Sequence, residues 1–216
     1  MIYKSEYAVV FDLDGVIINS RNVQIEALEK SYYDFYREGE PPIEDFFRLS
    51  GSRLEEIFDI LNLPAKMCNL YRHYSIQFMD RIKLYGGMTS VLEYLQENKV
   101  KIGLCTGKDN VRTLQILQKF DIYKYFNAVV CSDEVREPKP CNESLLKCLD
   151  LVGLDTSQAV MVGDGINDIL CAKNANVKSI AVMWGDGKAQ ELINQKPDFL
   201  ANDVDMLVDI LKNLVI

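Results

Sequence analysis

With 216 residues and a formal net charge of −8 at pH 7, the chain has no basic face to offer, which argues against a nucleic-acid backbone or an anionic membrane as partner. Hydrophobic residues make up 48 %, enough for one sizeable core plus a small second unit and too many for a disordered chain. Cys68, Cys105, Cys131, Cys141, Cys148 and Cys171 show no C-x-x-C spacing and several lie in apolar segments, so they read as small core hydrophobes rather than a zinc or disulfide framework. With no secretory leader and no long apolar span, a soluble cytoplasmic protein is expected.

In chain order, Val9, Val10 and Phe11 run into Asp12, Leu13, Asp14 and Gly15. A short apolar run broken by glycine predicts a buried strand, and residues two apart on a strand share a face, so Asp12 and Asp14 point into one site. Two such acids repel each other unless a cation or a shared proton relieves them. At neutral pH a divalent metal is the usual relief, and all-oxygen ligation favours magnesium. Taken alone, the same stretch is also compatible with aspartates that only cap the turn into a helix.

A helix follows, with Ile25, Leu28, Tyr32 and Phe35 on one stripe, stopped by the segment from Gly39 to Pro42. Leu54, Ile57, Phe58 and Leu61 mark a second helix, and a third runs from Pro64 past Tyr71, Tyr74 and Phe78. No strand signal appears between Ser20 and about Leu84, so residues 20–84 read as a small all-helical insert, and Gly86-Gly87 supplies a joint. From Met88 onward, strands at 100–105, 128–131, 159–162 and 179–183 alternate with helices, and Val204, Leu207, Val208 and Leu211 mark a closing helix. That alternation predicts an α/β fold, a doubly wound parallel sheet built from residues 1–19 and 85–216.

Polar residues recur where the strands end: Asp12 and Asp14, then Thr106, then Asp164 with Asp168 a helical turn further, while Lys139 lies in a Pro138-Lys139-Pro140 turn. In an open α/β sheet the carboxyl ends of the strands form the ligand crevice, so these residues converge. Carboxylates, a hydroxyl and an ammonium are what phosphoryl transfer through a covalent aspartyl-phosphate needs: one acid attacks, a metal and a lysine neutralise the transferring oxygens, and a second acid handles the proton. Singly, Thr106 also fits a helix N-cap, Lys139 a solvated turn lysine and Asp168 a first-turn acid.

Taken together, Asp12-Leu13-Asp14-Gly15-Val16, Thr106-Gly107, Lys139-Pro140 and Gly163-Asp164-Gly165-Ile166-Asn167-Asp168 resemble, in order, the four motifs of the haloacid dehalogenase superfamily of phosphohydrolases. The helical insert resembles the cap of the phosphoglycolate phosphatase and β-phosphoglucomutase branch. The resemblance implies Asp12 as nucleophile, Asp14 as general acid and base, Thr106 and the Gly107 amide as phosphate holders, and Lys139 as the tie between nucleophile and phosphoryl group. It implies magnesium on Asp12, the Asp14 carbonyl and Asp164, with Asp168 as a further ligand or as an acceptor that orients water or Lys139.

Asp14 argues against dehalogenation, because the superfamily's dehalogenases lack an acid at that position. Gly51-Ser52-Arg53 resembles the loop that β-phosphoglucomutases lower onto a second phosphate, which makes Arg53 a candidate substrate anchor; a helix-start arginine facing water is the other reading. The mutases carry a histidine ten residues after the acid/base aspartate, where this chain has Gln24; the one histidine, His73, lies deep in the insert. Hydrolysis of a small phosphorylated metabolite is therefore expected ahead of a phosphomutase or a non-catalytic phospho-ligand sensor. Trp184-Gly185-Asp186-Gly187 either lines the entrance or forms a plain loop with a packed indole. Substrate identity, and the choice between monomer and homodimer, stay open.

Overall fold

The computed structural model describes residues 6–215, so residues 1–5 of the expected 1–19 segment, and residue 216, lie outside it. Along the described chain the elements are β1 (Ala8–Phe11), β2 (Ile18–Asn19), α1 (Arg21–Tyr36), α2 (Ile43–Arg48), α3 (Leu54–Ile60), α4 (Ala65–Gln77), β3 (Lys83–Leu84), α5 (Met88–Glu97) and β4 (Lys101–Cys105). There follow α6 (Asn110–Lys119), β5 (Ala128–Val130), α7 (Glu143–Val152), β6 (Ala159–Gly163), α8 (Ile166–Asn174), β7 (Lys178–Val182), α9 (Ala189–Asn194), β8 (Phe199–Ala201) and α10 (Val204–Val215). Six strands form one parallel sheet in the order β5-β4-β1-β6-β7-β8.

Strand β1 shows why the sheet is buried on both faces. Val9 and Phe11 pack on one side with Leu92, Leu95, Leu117 and Leu207 from the helices, whereas Ala8 and Val10 pack on the other with Leu145, Cys148 and Ala172. The apolar run needs no polar alternation because each face has its own helical layer. Cys105, Cys148 and Cys171 fill this second layer; all six cysteines are free thiols, as small core hydrophobes should be.

Register then sets the site. Phe11 pairs with Leu104 on one side and Val162 on the other. The residues that follow these three, Asp12, Cys105 with Thr106, and Gly163 with Asp164, therefore emerge level at one edge. Strand order reverses beside β1, so the crevice opens at the switch point where ligands of such sheets bind.

Helices α1 to α4 stand outside the sheet around their own cluster of Phe46, Phe58, Met67, Cys68 and Tyr71. The chain leaves and returns through a two-stranded antiparallel ribbon in which Ile18 pairs with Leu84 and Asn19 with Lys83. The expected stripe on α1 is displaced: the buried residues are Val23, Ala27, Leu28 and Ser31, and Phe35 is exposed. Small Ala27 and Ser31 let α4 approach closely, and the Ser31 hydroxyl is satisfied by donating to the Leu28 carbonyl at 2.9 Å. Helices α2 and α9 and strand β8 went unread because six or three residues are too few to show a period.

Candidate active site

Asp12 continues β1 by one residue, donating its N–H to the Val162 carbonyl at 2.9 Å. Its side chain is 6 % exposed, and Oδ1 accepts from Lys139 Nζ at 2.7 Å. The same ammonium donates to Asp168 Oδ1 at 2.6 Å and to the Cys105 carbonyl at 2.9 Å. Each of the three N–H bonds of a lysine is thus used, which ties the ends of β1 and β4 and the first turn of α8 to one buried charge. Asp168 Oδ2 in turn accepts the Gly165 N–H at 3.0 Å. Both oxygens of Asp168 are thus engaged, one by Lys139 and one by the Gly165 amide.

Asp164, at the end of β6, accepts the Asp186 N–H on Oδ2 at 2.6 Å. Gly15, at φ +77°, presses against that carboxylate: a Cβ there would lie 2.0 Å from Asp164 Oδ2. One oxygen each from Asp12, Asp164 and Asp168 fall within 4.8 Å of one another.

The electrostatics follow from these contacts. Burial pushes the Asp12 carboxyl up to about 7, against the pull of Lys139 and with the help of the Asp168 and Asp14 charges. Burial, then Asp168 and Asp12, hold Asp164 well above the carboxylate range. Burial opposes the charge on Lys139, but Asp12 and Asp168 outweigh it and hold the lysine well above its ordinary value. One ammonium is too little positive charge for three buried acids. This oxygen-only donor set therefore fits a hard divalent cation such as magnesium.

Asp14 points to the mouth of the same cavity. It accepts from the Ser20 hydroxyl, from Lys108 Nζ at 3.1 Å and from Gln24 Nε2 at 3.4 Å. Thr106 and Gly107 line the cavity with Asp12 and Asp14. Thr106 is not the cap of α6; that role falls to Asp109, whose carboxylate accepts the Arg112 N–H at 3.1 Å. Gly107 faces the insert so closely that a Cβ would lie 2.5 Å from the Gly51 carbonyl oxygen.

Arg53 is placed elsewhere. Its Nε and Nη2 donate to the Ser132 carbonyl at 3.1 and 2.6 Å, and Nη2 also reaches the Val135 carbonyl. The physical reason is local: the short 3₁₀ turn Ser132–Glu134 leaves carbonyls open, and the guanidinium at the start of α3 fills them. Its neighbours Gly51 and Ser52 do line the cavity, and the Ser52 hydroxyl donates to the Lys139 carbonyl at 3.1 Å. His73 is exposed on α4, its ring against Tyr74.

Sequence reasoning missed Lys108 and Arg112, both buried and both lining the cavity. A cation in the first turn of a helix, as Arg112 is in α6, runs against the helix dipole and was the available signal. Asp186 also lines the cavity, while the Trp184 indole packs on Tyr85 and donates to the Val16 carbonyl at 3.3 Å. Both readings of that loop therefore hold at once. The cavity between insert and sheet has a volume of about 50 Å³.

Residues 9–182 match the profile of the haloacid dehalogenase-like hydrolases. A pyrophosphatase PpaX of Bacillus velezensis is 30 % identical over 213 residues, covering 97 % of this chain and 98 % of that protein. A hydrolase from Pseudomonas syringae superposes with a TM-score of 0.86 at 18 % identity, covering 98 % of this chain and 100 % of the other. A haloacid dehalogenase-like family hydrolase from Streptococcus pneumoniae gives a TM-score of 0.81 at 23 % identity, with 97 % and 98 % covered. At those identities the two structures speak for the fold.

Proposed function

This chain belongs to the haloacid dehalogenase-like hydrolase family, and we propose that it is a magnesium-dependent phosphohydrolase that acts on a small phosphorylated metabolite through an aspartyl-phosphate on Asp12. The observation that carries the reading is the buried Asp12–Lys139–Asp168 chain beside Asp164, at the mouth of which stands a separate acid, Asp14.

In the first step an Asp12 oxygen forms a bond to phosphorus while the bond to the leaving oxygen breaks, and Asp14 gives that oxygen its proton. In the second, Asp14 takes a proton from water, whose oxygen attacks phosphorus and frees Asp12 with release of orthophosphate. Lys139 holds the attacking carboxylate in place and balances charge on the phosphoryl oxygens, and Thr106 with the Gly107 amide cradles them. Magnesium, held by Asp12, Asp164 and the Asp14 carbonyl, supplies further neutralisation of the phosphoryl group when bound. Residues 20–84 serve as a cap over the core formed by the rest of the chain, excluding bulk water.

Gln24, within reach of Asp14, carries no titratable group and so cannot relay a proton, which favours hydrolysis over a phosphomutase. A purely binding role would leave Asp14 without purpose. The pyrophosphatase name of the Bacillus velezensis relative places pyrophosphate among the substrates to try first. The test is phosphate release from a panel of phosphorylated metabolites with magnesium, repeated with EDTA and with Asp12→Asn. Selective release that both treatments abolish supports the proposal; release that survives Asp12→Asn overturns it.

A further inference from the structure

The cap lines the cavity with Phe46, Leu54, Ile57 and Tyr71 beside the polar Gln24, Ser50 and Ser52. Against these the core sets two cations, Lys108 and Arg112. Lys108 is paired with Asp14 at 3.1 Å. Arg112 differs. It is 4 % exposed, Nε donates to Asp109 Oδ2 at 2.8 Å, and Nη1 makes one long contact of 3.5 Å with the Ser75 hydroxyl. Among the described residues Nη2 makes no hydrogen bond of 3.5 Å or less, while the guanidinium also stands against the Tyr71 hydroxyl.

Its counter-charge is shared. Asp109 Oδ2 also accepts from Arg72 Nε at 3.1 Å, so one buried carboxylate serves two guanidiniums. Glu55, the other acid on Arg72, is on the solvent side, its side chain 48 % exposed. The Arg112 guanidinium also lies over the Tyr71 ring, 5.6 Å from its centroid. A planar guanidinium held on one edge by Asp109, backed by an aromatic ring and left with donors on a cavity wall, suits an oxyanion.

We infer that Arg112 receives a second anionic group on the leaving side of the substrate, so that the enzyme selects substrates whose leaving group is itself charged. The inference rests on the phosphohydrolase reading and adds the residue that chooses the leaving group. The leaving group then carries a phosphate, which makes the substrate pyrophosphate, or a carboxylate. Arg112 takes no part in bond making: phosphorus passes to Asp12, and the leaving oxygen keeps the electron pair and takes the Asp14 proton.

The test is steady-state kinetics with magnesium on the native protein, Arg112→Met and Arg112→Lys. The substrates are pyrophosphate, phosphoglycolate and the latter's uncharged counterpart, hydroxyethyl phosphate. The native protein is expected to prefer at least one charged-leaving-group substrate over hydroxyethyl phosphate by about tenfold or more in kcat/KM. Arg112→Met lowers that ratio roughly ten- to a hundredfold, chiefly through KM, and Arg112→Lys restores part of it. The charged substrate that loses more identifies the anion. A native protein that treats charged and uncharged leaving groups alike overturns the inference however the variants fold, and so does a ratio that the substitutions leave unmoved. No phosphate release from any substrate would instead defeat the phosphohydrolase reading beneath it.

Discussion

Removing Lys139 would leave Asp12 and Asp168 as adjacent buried anions with no cation between them. Breaking a buried pair in this way costs about 3–5 kcal/mol. Urea unfolding of metal-free Lys139→Met is expected to show a loss of that size near neutral pH and a smaller one under acid conditions, where protonation relieves the repulsion. An unchanged midpoint would mean that Lys139 does not organise the acids. Asp14→Asn, by contrast, keeps the side chain's shape and is expected to lower kcat by about 10²–10⁴-fold, with a smaller loss of stability than Lys139→Met because it weakens a single pairing, to the buried Lys108. The acids were legible in the sequence because charged residues at the ends of apolar strands have few other places to be, whereas Lys139, in a turn between prolines, was read through its resemblance to the family's third motif. Arg53 misled because a loop-borne arginine has many possible acceptors, and only the fold showed Ser132 and Val135 to be the nearer ones. Arg112 was hidden for the opposite reason: Asp109 stands only three residues before it, but Tyr71, under its guanidinium, and Arg72, which shares Asp109, come from α4 in the insert.

At the level of elements, the strands were readable and their ends could be aligned because continuous apolar runs with helices between them admit little but a parallel sheet. The short pieces were not, and α2 matters most among them, since it brings Phe46 to the cavity wall. The link between the helical insert and the core is polar as well as apolar, for Val23 and Phe78 pack into the main cluster around the sheet. Arg53 clasps the 3₁₀ turn, Ser52 donates to the Lys139 carbonyl, and Asn167 Nδ2 donates to the Ser50 carbonyl at 3.0 Å. Arg53→Met strips the Ser132 and Val135 carbonyls of their charged donor and is expected to cost about 1.5–3 kcal/mol. Hydrogen exchange is expected to speed up at residues 50–54 and 132–136 while β1, β4 and β6 stay protected. Faster exchange in the strands instead would place Arg53 in the support of the sheet.

For the molecule as a whole, the concentration of buried acid ties stability to pH and to metal. Among the described residues no helix is long and apolar enough to cross a membrane, and the formal charge of −8 makes cation binding relieve repulsion generally. The folded-state value of Asp12, about 7, lies above its value in the unfolded chain. The stability gained from the retained proton is therefore complete below the ordinary carboxylate range and is lost as pH rises through about 7. Metal-free protein is expected to melt at lower temperature at about pH 8 than at about pH 5, and excess magnesium, which competes with those protons, to raise Tm more at the higher pH. A magnesium increment independent of pH would show that these acids are not its ligands. The account as a whole turns on a covalent bond to Asp12. Its most direct test is acid quench of the native protein turning over its best substrate with magnesium, followed by peptide mass spectrometry. The account predicts one phosphoryl group on the peptide that contains Asp12, absent from Asp12→Asn; turnover by the native protein with that peptide never phosphorylated would contradict it.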